Sequence, residues 1–227
     1  MSIETMGEKF THDLADIFDA EHQFLEAQNE MLAHATSEAL RTMLMEHIAQ
    51  TREQIDNIRL VYAMLGVTNL RTDCKAAAGL VAEGQLLLHE TATAPALRDC
   101  AIADAVAKVE HYEIASYRNL LKAAPEIDAE IARLLRRNLE QEEETANKIE
   151  ESQPSLLNRA LSIQRAAQYT SGEVRSQKSG VRSPCAAPFP SFLTSSLTSG
   201  KGKNLHQDAR PKPSPVWVEG LEGGVLL

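Results

Sequence analysis

From Phe10 onward, apolar residues recur every three or four positions over long stretches, the spacing of one buried helical face. Phe10, Leu14, Ile17, Phe18, Leu25, Met31 and Leu32 share that face with Gln28 and predict a first helix. Thr5-x-x-Glu8 supplies a capping box ahead of it. Ala35-Thr36-Ser37-Glu38 breaks the pattern, and Ser37 is placed as the N-cap of a second helix over about 38–65. Its stripe is Leu40, Leu44, Ile48, Ile55, Ile58, Tyr62 and Leu65, and Gly66 closes it. Residues 67–94 are less regular and predict one short helix between about 74 and 91. Pro95 opens a third long helix over about 95–122, striped by Ile102, Ala105, Val106, Val109, Tyr117 and Leu120. Ala123-Ala124-Pro125-Glu126 reads as a turn. A fourth helix follows over about 127–152, with Ile131, Leu135, Asn138, Thr145 and Ile149 inward.

Four long amphipathic helices with one connection of about 30 residues define an all-α, ferritin-like four-helix bundle. Two antiparallel hairpins are joined by a long crossover containing a short helix. Such a crossover is long enough to return along a helix of ~25 residues at 1.5 Å rise. The bundle is expected over residues 1–153. From Pro154 the composition changes: seven of the nine prolines and seven of the eleven glycines fall in 154–227. Leu156 to Ala167 can extend as a short helix. The remainder reads as a low-complexity, mostly disordered tail, either a genuine extension or a non-native reading frame.

Several polar residues interrupt the buried stripes. Glu21 and Glu113 project within ~20° of the centres of the first and third stripes. Glu110 lies on the flank of the third, and Glu142 at the centre of the fourth. His47, Thr51 and Gln54 fall on or beside the second stripe, with Gln50 at its edge. Glu53, His22 and His111 point outward. Folding at a turn near residue 36 sets Glu21 opposite about residue 51, and folding near 125–126 sets Glu142 opposite Glu110. A carboxylate aimed into a core is costly unless it is paired, protonated or bound to a metal. Inward carboxylates at one level of a bundle are the donor set of di-iron and di-manganese sites. The candidate metal ligands are therefore Glu21, Glu110, Glu113 and Glu142, with His47 and Gln54 as helpers, and the candidate ions are iron or manganese. No helix carries the Glu-x-x-His pair of a standard di-iron bundle at this level, since Glu143-x-x-Ala146 and Gln50-x-x-Glu53 both lack the imidazole. Read without metal, the same residues form a buried hydrogen-bonded network with Thr51, Tyr112, Tyr117 and water.

Charge narrows the function classes. The chain carries a net charge of −9, but residues 1–153 hold 14 Lys and Arg against 28 Asp and Glu, while residues 154–227 hold 9 against 4. An acidic bundle is a poor match for nucleic acid. No run of about 18 apolar residues exists to span a membrane. Met1-Ser-Ile-Glu-Thr lacks the basic-then-apolar pattern of a secretory signal. Cys74, Cys100 and Cys185 form no CxxC pair and read as reduced thiols of a cytoplasmic protein. Without GxSxG, P-loop or GxGxxG motifs, nucleophilic hydrolysis, phosphoryl transfer and dinucleotide chemistry lack their residues.

Asp19-Ala-Glu-His-Gln, His47-x-x-x-Thr51-x-x-Gln54, Cys74, Arg98-Asp99, Lys108-Val-Glu-His-Tyr-Glu-Ile-Ala-Ser-Tyr117 and Leu139-Glu-x-Glu142 resemble the YciE/YciF family of ferritin-like bacterial proteins. The resemblance covers about residues 8–152. It implies a ferritin-like bundle, a homodimer and an association with bacterial stress responses, but no defined reaction. Gln50 stands where some relatives carry a glutamate, and Ala146 where an aspartate would follow Glu142 by one turn. Two functions are expected. One is a stress-associated protein whose carboxylate-rich site binds one or two iron or manganese ions and acts on peroxide or oxygen. The other is a non-enzymatic dimeric bundle with a degenerate metal site. A third, weaker expectation is an interaction protein that works through the basic residues of 154–227.

Overall fold

Helix formation begins at the expected capping box. Thr5 Oγ1 accepts from the Glu8 peptide N–H at 3.2 Å, and Glu8 Oε2 accepts from that of Thr5 at 2.9 Å. This opens α1 (Met6–His34), followed by α2 (Glu38–Leu65), α3 (Lys75–Glu90), α4 (Pro95–Ile127) and α5 (Ala129–Ser179). The computed structural model describes residues 2–67 and 72–179. The part of the expected tail beyond 179 lies outside the described residues. Gly66 ends α2 with φ of 65°, the left-handed conformation that glycine adopts without a Cβ penalty. Ser37 occupies the N-cap of α2, but its side chain makes no capping bond.

The helices α1, α2, α5 and α4 pack in that order around the core, and α4 closes back on α1. α3 lies outside the ring, against α1 and α4. The expected ferritin-like connectivity is thus present: hairpins α1–α2 and α4–α5, joined by a crossover that carries α3. Cys74 ties the start of α3 down, because its peptide N–H donates to Asp19 Oδ2 at 2.8 Å. Its thiol sits 3.0 Å from the Tyr112 hydroxyl and 3.2 Å from Asp16 Oδ2. At Gly84 α3 packs on both neighbours, and a Cβ there would stand 3.0 Å from Met31 Cε and 3.6 Å from Ala105 Cβ.

Two helix ends differ from the sequence reading. α4 does not stop near 122 but continues through Pro125 to Ile127. A proline in the last turn removes one hydrogen bond with little helix left to lose. The turn is a single residue, Asp128, whose Oδ1 accepts from the N–H groups of Glu130 (2.6 Å) and Ile131 (3.2 Å) to start α5. Glu142 still meets Glu110, as the expected fold-back places it, with Glu113 in the same cluster. α5 also runs past the expected end at 152, through Pro154. Leu156 is buried in the core beyond that proline, and Arg159 reaches Asp99 Oδ2 at 2.7 Å.

Asp99 closes one end of the bundle. It is fully buried and accepts from the Thr36 N–H and the Thr36 hydroxyl, each at 2.7 Å, as well as from Arg159. The α1–α2 turn, α4 and α5 therefore meet on one carboxylate. Hydrogen bonds to a charged group contribute about 1.5–3 kcal/mol each, although the partly exposed Arg159 adds less. Asp99→Ala is expected to cost about 2–4 kcal/mol in urea unfolding, and Arg159→Ala about 1 kcal/mol or less. Equal stability of Asp99→Ala and the parent chain would remove this role.

Candidate metal centre

The core is two apolar clusters separated by a polar layer. One cluster gathers Phe10, Leu14, Ile17, Ile58, Val61, Leu120, Ile131 and Leu135. The other gathers Met31, Leu40, Leu44, Ile102, Val106, Ile149 and Leu156. Between them α1 contributes Glu21, α2 His47 and Gln54, α4 Glu110 and Glu113, and α5 Glu142, none more than 2% exposed. The i,i+3 spacing of Glu110 and Glu113 presents both carboxylates to the same interior face.

All six expected ligands are thus interior. The structure brings four of them into one cluster: His47, Glu110, Glu113 and Glu142 each offer a donor atom, all within 4.8 Å of one another. His47 Nε2 is 3.3 Å from Glu110 Oε1 and 3.9 Å from Glu142 Oε2. It is also 3.3 Å from Gln28 Nε2, and Gln28 pairs in turn with Thr51. Glu21 stands beside this cluster, with Oε1 accepting from the Tyr117 hydroxyl. Gln54 lies next to Glu142, although neither side chain completes a hydrogen bond of ordinary geometry with the other. Gln50 stays at the edge, where its Oε1 accepts from Thr145 at 3.1 Å. His111 is exposed and sits 2.8 Å from Glu150.

Burial pushes the Glu110 and Glu113 carboxyls well above the usual range, and the Glu142 charge adds to the rise in both. Glu21 rises for the same two reasons, and the Tyr117 hydrogen bond opposes this. Glu142 is raised by burial to about 7, with Glu110 and Gln54 offsetting part of that rise. Burial lowers His47 to about 4, so its imidazole is neutral and able to act as a ligand at neutral pH.

The polar deficit is concentrated here. Twelve buried side-chain polar atoms among the described residues lack a hydrogen-bond partner, and ten belong to this layer. They are both carboxylate oxygens of Glu110, Glu113 and Glu142, Glu21 Oε2, His47 Nδ1 and both amide atoms of Gln54. Buried polar groups are ordinarily paired, so such a concentration matches a site built to face a cation. Carboxylates with one imidazole suit borderline or hard divalent ions such as manganese and ferrous iron. The residues present therefore fit the group that the bundle implies.

Sequence reasoning had the layer but ranked His47 below Glu21. It placed Tyr117 among the partners of the inward acids, as the Tyr117–Glu21 hydrogen bond bears out, but left Asn138 as a stripe position. Asn57 escaped it entirely. A polar residue on the inward stripe of α5, level with an inward tyrosine on α4, was the available signal.

A ferritin-like bundle with a buried carboxylate–histidine cluster at mid-height is the class that these features define. The chain belongs to the domain of unknown function family DUF892, whose profile matches residues 5–162. It is 32% identical to Protein YciF of Escherichia coli strain K12 over 151 residues, 66% of this chain and 90% of the relative. The crystal structure of the E. coli stress protein YciF matches with a TM-score of 0.65 at 31% identity, covering 69% of this chain and 99% of that one. The structure of YcfI from Rhodopseudomonas palustris matches with a TM-score of 0.63 at 34% identity, covering 66% and 95%. No described helix is long and apolar enough to cross a membrane.

Proposed function

We propose that the bundle is a carboxylate-bridged metalloprotein of the stress response, holding one or two manganese or iron ions and consuming peroxide or oxygen. The observation that carries this reading is the convergence of His47, Glu110, Glu113 and Glu142, with their carboxylate oxygens buried and unpartnered. These four would hold the ion, with Glu21 Oε2 adjoining. A bound redox-active ion would supply the electrons and Lewis acidity for reducing a small oxidant. The protein excludes bulk water with its two apolar clusters and keeps His47 neutral. A cavity of about 10 Å³, the size of one water, is lined by Phe24, Gln28, Met31, Val109, His47 and Glu110. The stress association rests on the E. coli relative, which is described as a stress protein.

Elemental analysis of protein expressed in iron- or manganese-supplemented medium tests the reading. About one or two ions per chain are expected in the parent, and a marked loss in Glu113→Ala. Less than ~0.1 ion per chain in the parent, unchanged in the variant, would sink it. The second reading, a non-enzymatic bundle, is favoured by Gln50 and Ala146 at the site's margins. It predicts that Glu142→Gln leaves cellular peroxide tolerance intact.

A further inference from the structure

Beside the carboxylate cluster runs a line of buried polar groups that metal binding as proposed leaves unused. Tyr117 heads the largest fully buried side chains, and Asn138 is equally buried. The Tyr117 hydroxyl donates to Glu21 Oε1 and accepts from Asn138 Nδ2 at 3.0 Å. Asn138 Oδ1 accepts from Asn57 Nδ2 at 2.7 Å, and Asn138 Nδ2 also donates to the Gln54 backbone carbonyl at 3.3 Å. The line thus ties α1, α2, α4 and α5 together at the level of the site. Its direction follows from the donor inventory. Asn57 donates to the Asn138 oxygen, so the Asn138 amide nitrogen faces the tyrosine. The hydroxyl therefore accepts there, and its single proton goes to Glu21.

A phenylalanine would fill the same space without burying a hydroxyl. What the hydroxyl adds is a fixed donor to Glu21 Oε1. Glu110, Glu113 and Glu142 have neither oxygen in a hydrogen bond of ordinary geometry, His47 Nε2 standing 3.3 Å from Glu110 Oε1, whereas Glu21 has Oε1 engaged and only Oε2 unpartnered. We propose that Tyr117, oriented by Asn138, is a positioning residue for cation binding: it engages Glu21 Oε1 and leaves Glu21 a one-oxygen ligand beside three carboxylates with both oxygens available. The inference rests on the metal reading and assigns Tyr117 a role through Glu21 alone. Partners behind a ligand commonly govern affinity by 10- to 100-fold.

The test is Mn(II) titration of the full-length, chelator-treated protein by calorimetry, with electron paramagnetic resonance of the bound ion. The proteins are the parent, Tyr117→Phe, Glu21→Gln and the double variant, each checked for folding by circular dichroism. Tyr117→Phe is expected to weaken binding about tenfold. In the Glu21→Gln background the same change should have no further effect, which a merely structural tyrosine would not reproduce. Asn138→Leu serves as the second variant should Tyr117→Phe not fold, and is expected to weaken binding in the same Glu21-dependent way. Unchanged affinity in Tyr117→Phe, unchanged affinity in Glu21→Gln, or equal losses in both backgrounds would each overturn the inference while leaving the metal reading standing. A parent protein that binds no Mn(II) would overturn both.

Discussion

Adding Mn(II) to the chelator-treated protein raises its melting temperature by roughly 8–16 °C at about a thousandfold excess over Kd, and Glu142→Ala abolishes the rise. The magnitude follows from mass action. A ligand that binds only the folded state stabilises it by about 4 kcal/mol at that excess. For a domain of this size each kcal/mol moves the midpoint by about 2–4 °C. Glu142 is the variant of choice because its charge bears on Glu21, Glu110 and Glu113 alike. The same substitution removes one buried acid from the ion-free protein, so its melting point without cation should not fall in proportion. A parallel rise in parent and variant would mean that the ion binds elsewhere, on the acidic surface.

The ion-free protein becomes less stable as pH rises from about 5 to 7. Glu142 has its carboxyl raised from the ordinary 4.5 to about 7 by burial, and Glu21, Glu110 and Glu113 are raised as well. Between the unfolded and folded values the folded chain binds more protons, so stability is lost as pH climbs through that window. For Glu142 alone the loss is about 3 kcal/mol. His47 works the other way. Lowered from 6.5 to about 4, it makes the unfolded chain the better proton binder in its window, so its contribution grows with pH there. Four carboxyls outweigh one imidazole. The exposed Glu8 and Glu130 and the partly exposed Glu53, held low by hydrogen bonds from Glu4, Arg133 and Arg137, act below the ordinary 4.5 and so outside this window. Urea unfolding in chelator at pH 5 and pH 7.5 reads the effect directly. Glu113→Gln should raise stability at pH 7.5 and narrow the difference, as expected when a buried charge is replaced by a neutral isostere. Stability that holds constant or rises over this range would contradict the electrostatics of the polar layer.

The helices, their connectivity and the inward carboxylates were legible because the 3.6-residue period separates faces sharply. Glu113 and Glu142 stand at stripe centres, where solvation cannot explain them. His47 was harder to rank, since a lone histidine on a stripe looks the same whether it packs or ligates. Only the 3.3 Å approach to Glu110 distinguishes the two. Tyr117 was legible as a partner of the inward acids, but Asn138 only as a stripe position, because which atom meets which depends on side-chain rotamers across helices. Both internal prolines read as breaks and are not. Pro125 falls where one helical turn remains, and Pro154 is followed by Leu156 and Arg159, whose tertiary contacts hold the helix in line. Local propensity yields to such contacts.

The two hairpin turns lie at opposite ends of the bundle. Glu21 is measured off from the turn at Thr36, while Glu113 and Glu142 are measured off from Asp128. Each hairpin is a ruler with its own zero, and the site exists only where the two scales agree. The Asp99 clasp is where one ruler is nailed to the other, since it binds the Thr36 turn to the beginning of α4 and to α5. It lies 14 residues from Glu113, about 20 Å along α4 at 1.5 Å per residue. A small slip there would carry Glu21 along the bundle axis relative to its partners, so the alignment of the buried acids is set from a point none of them touches.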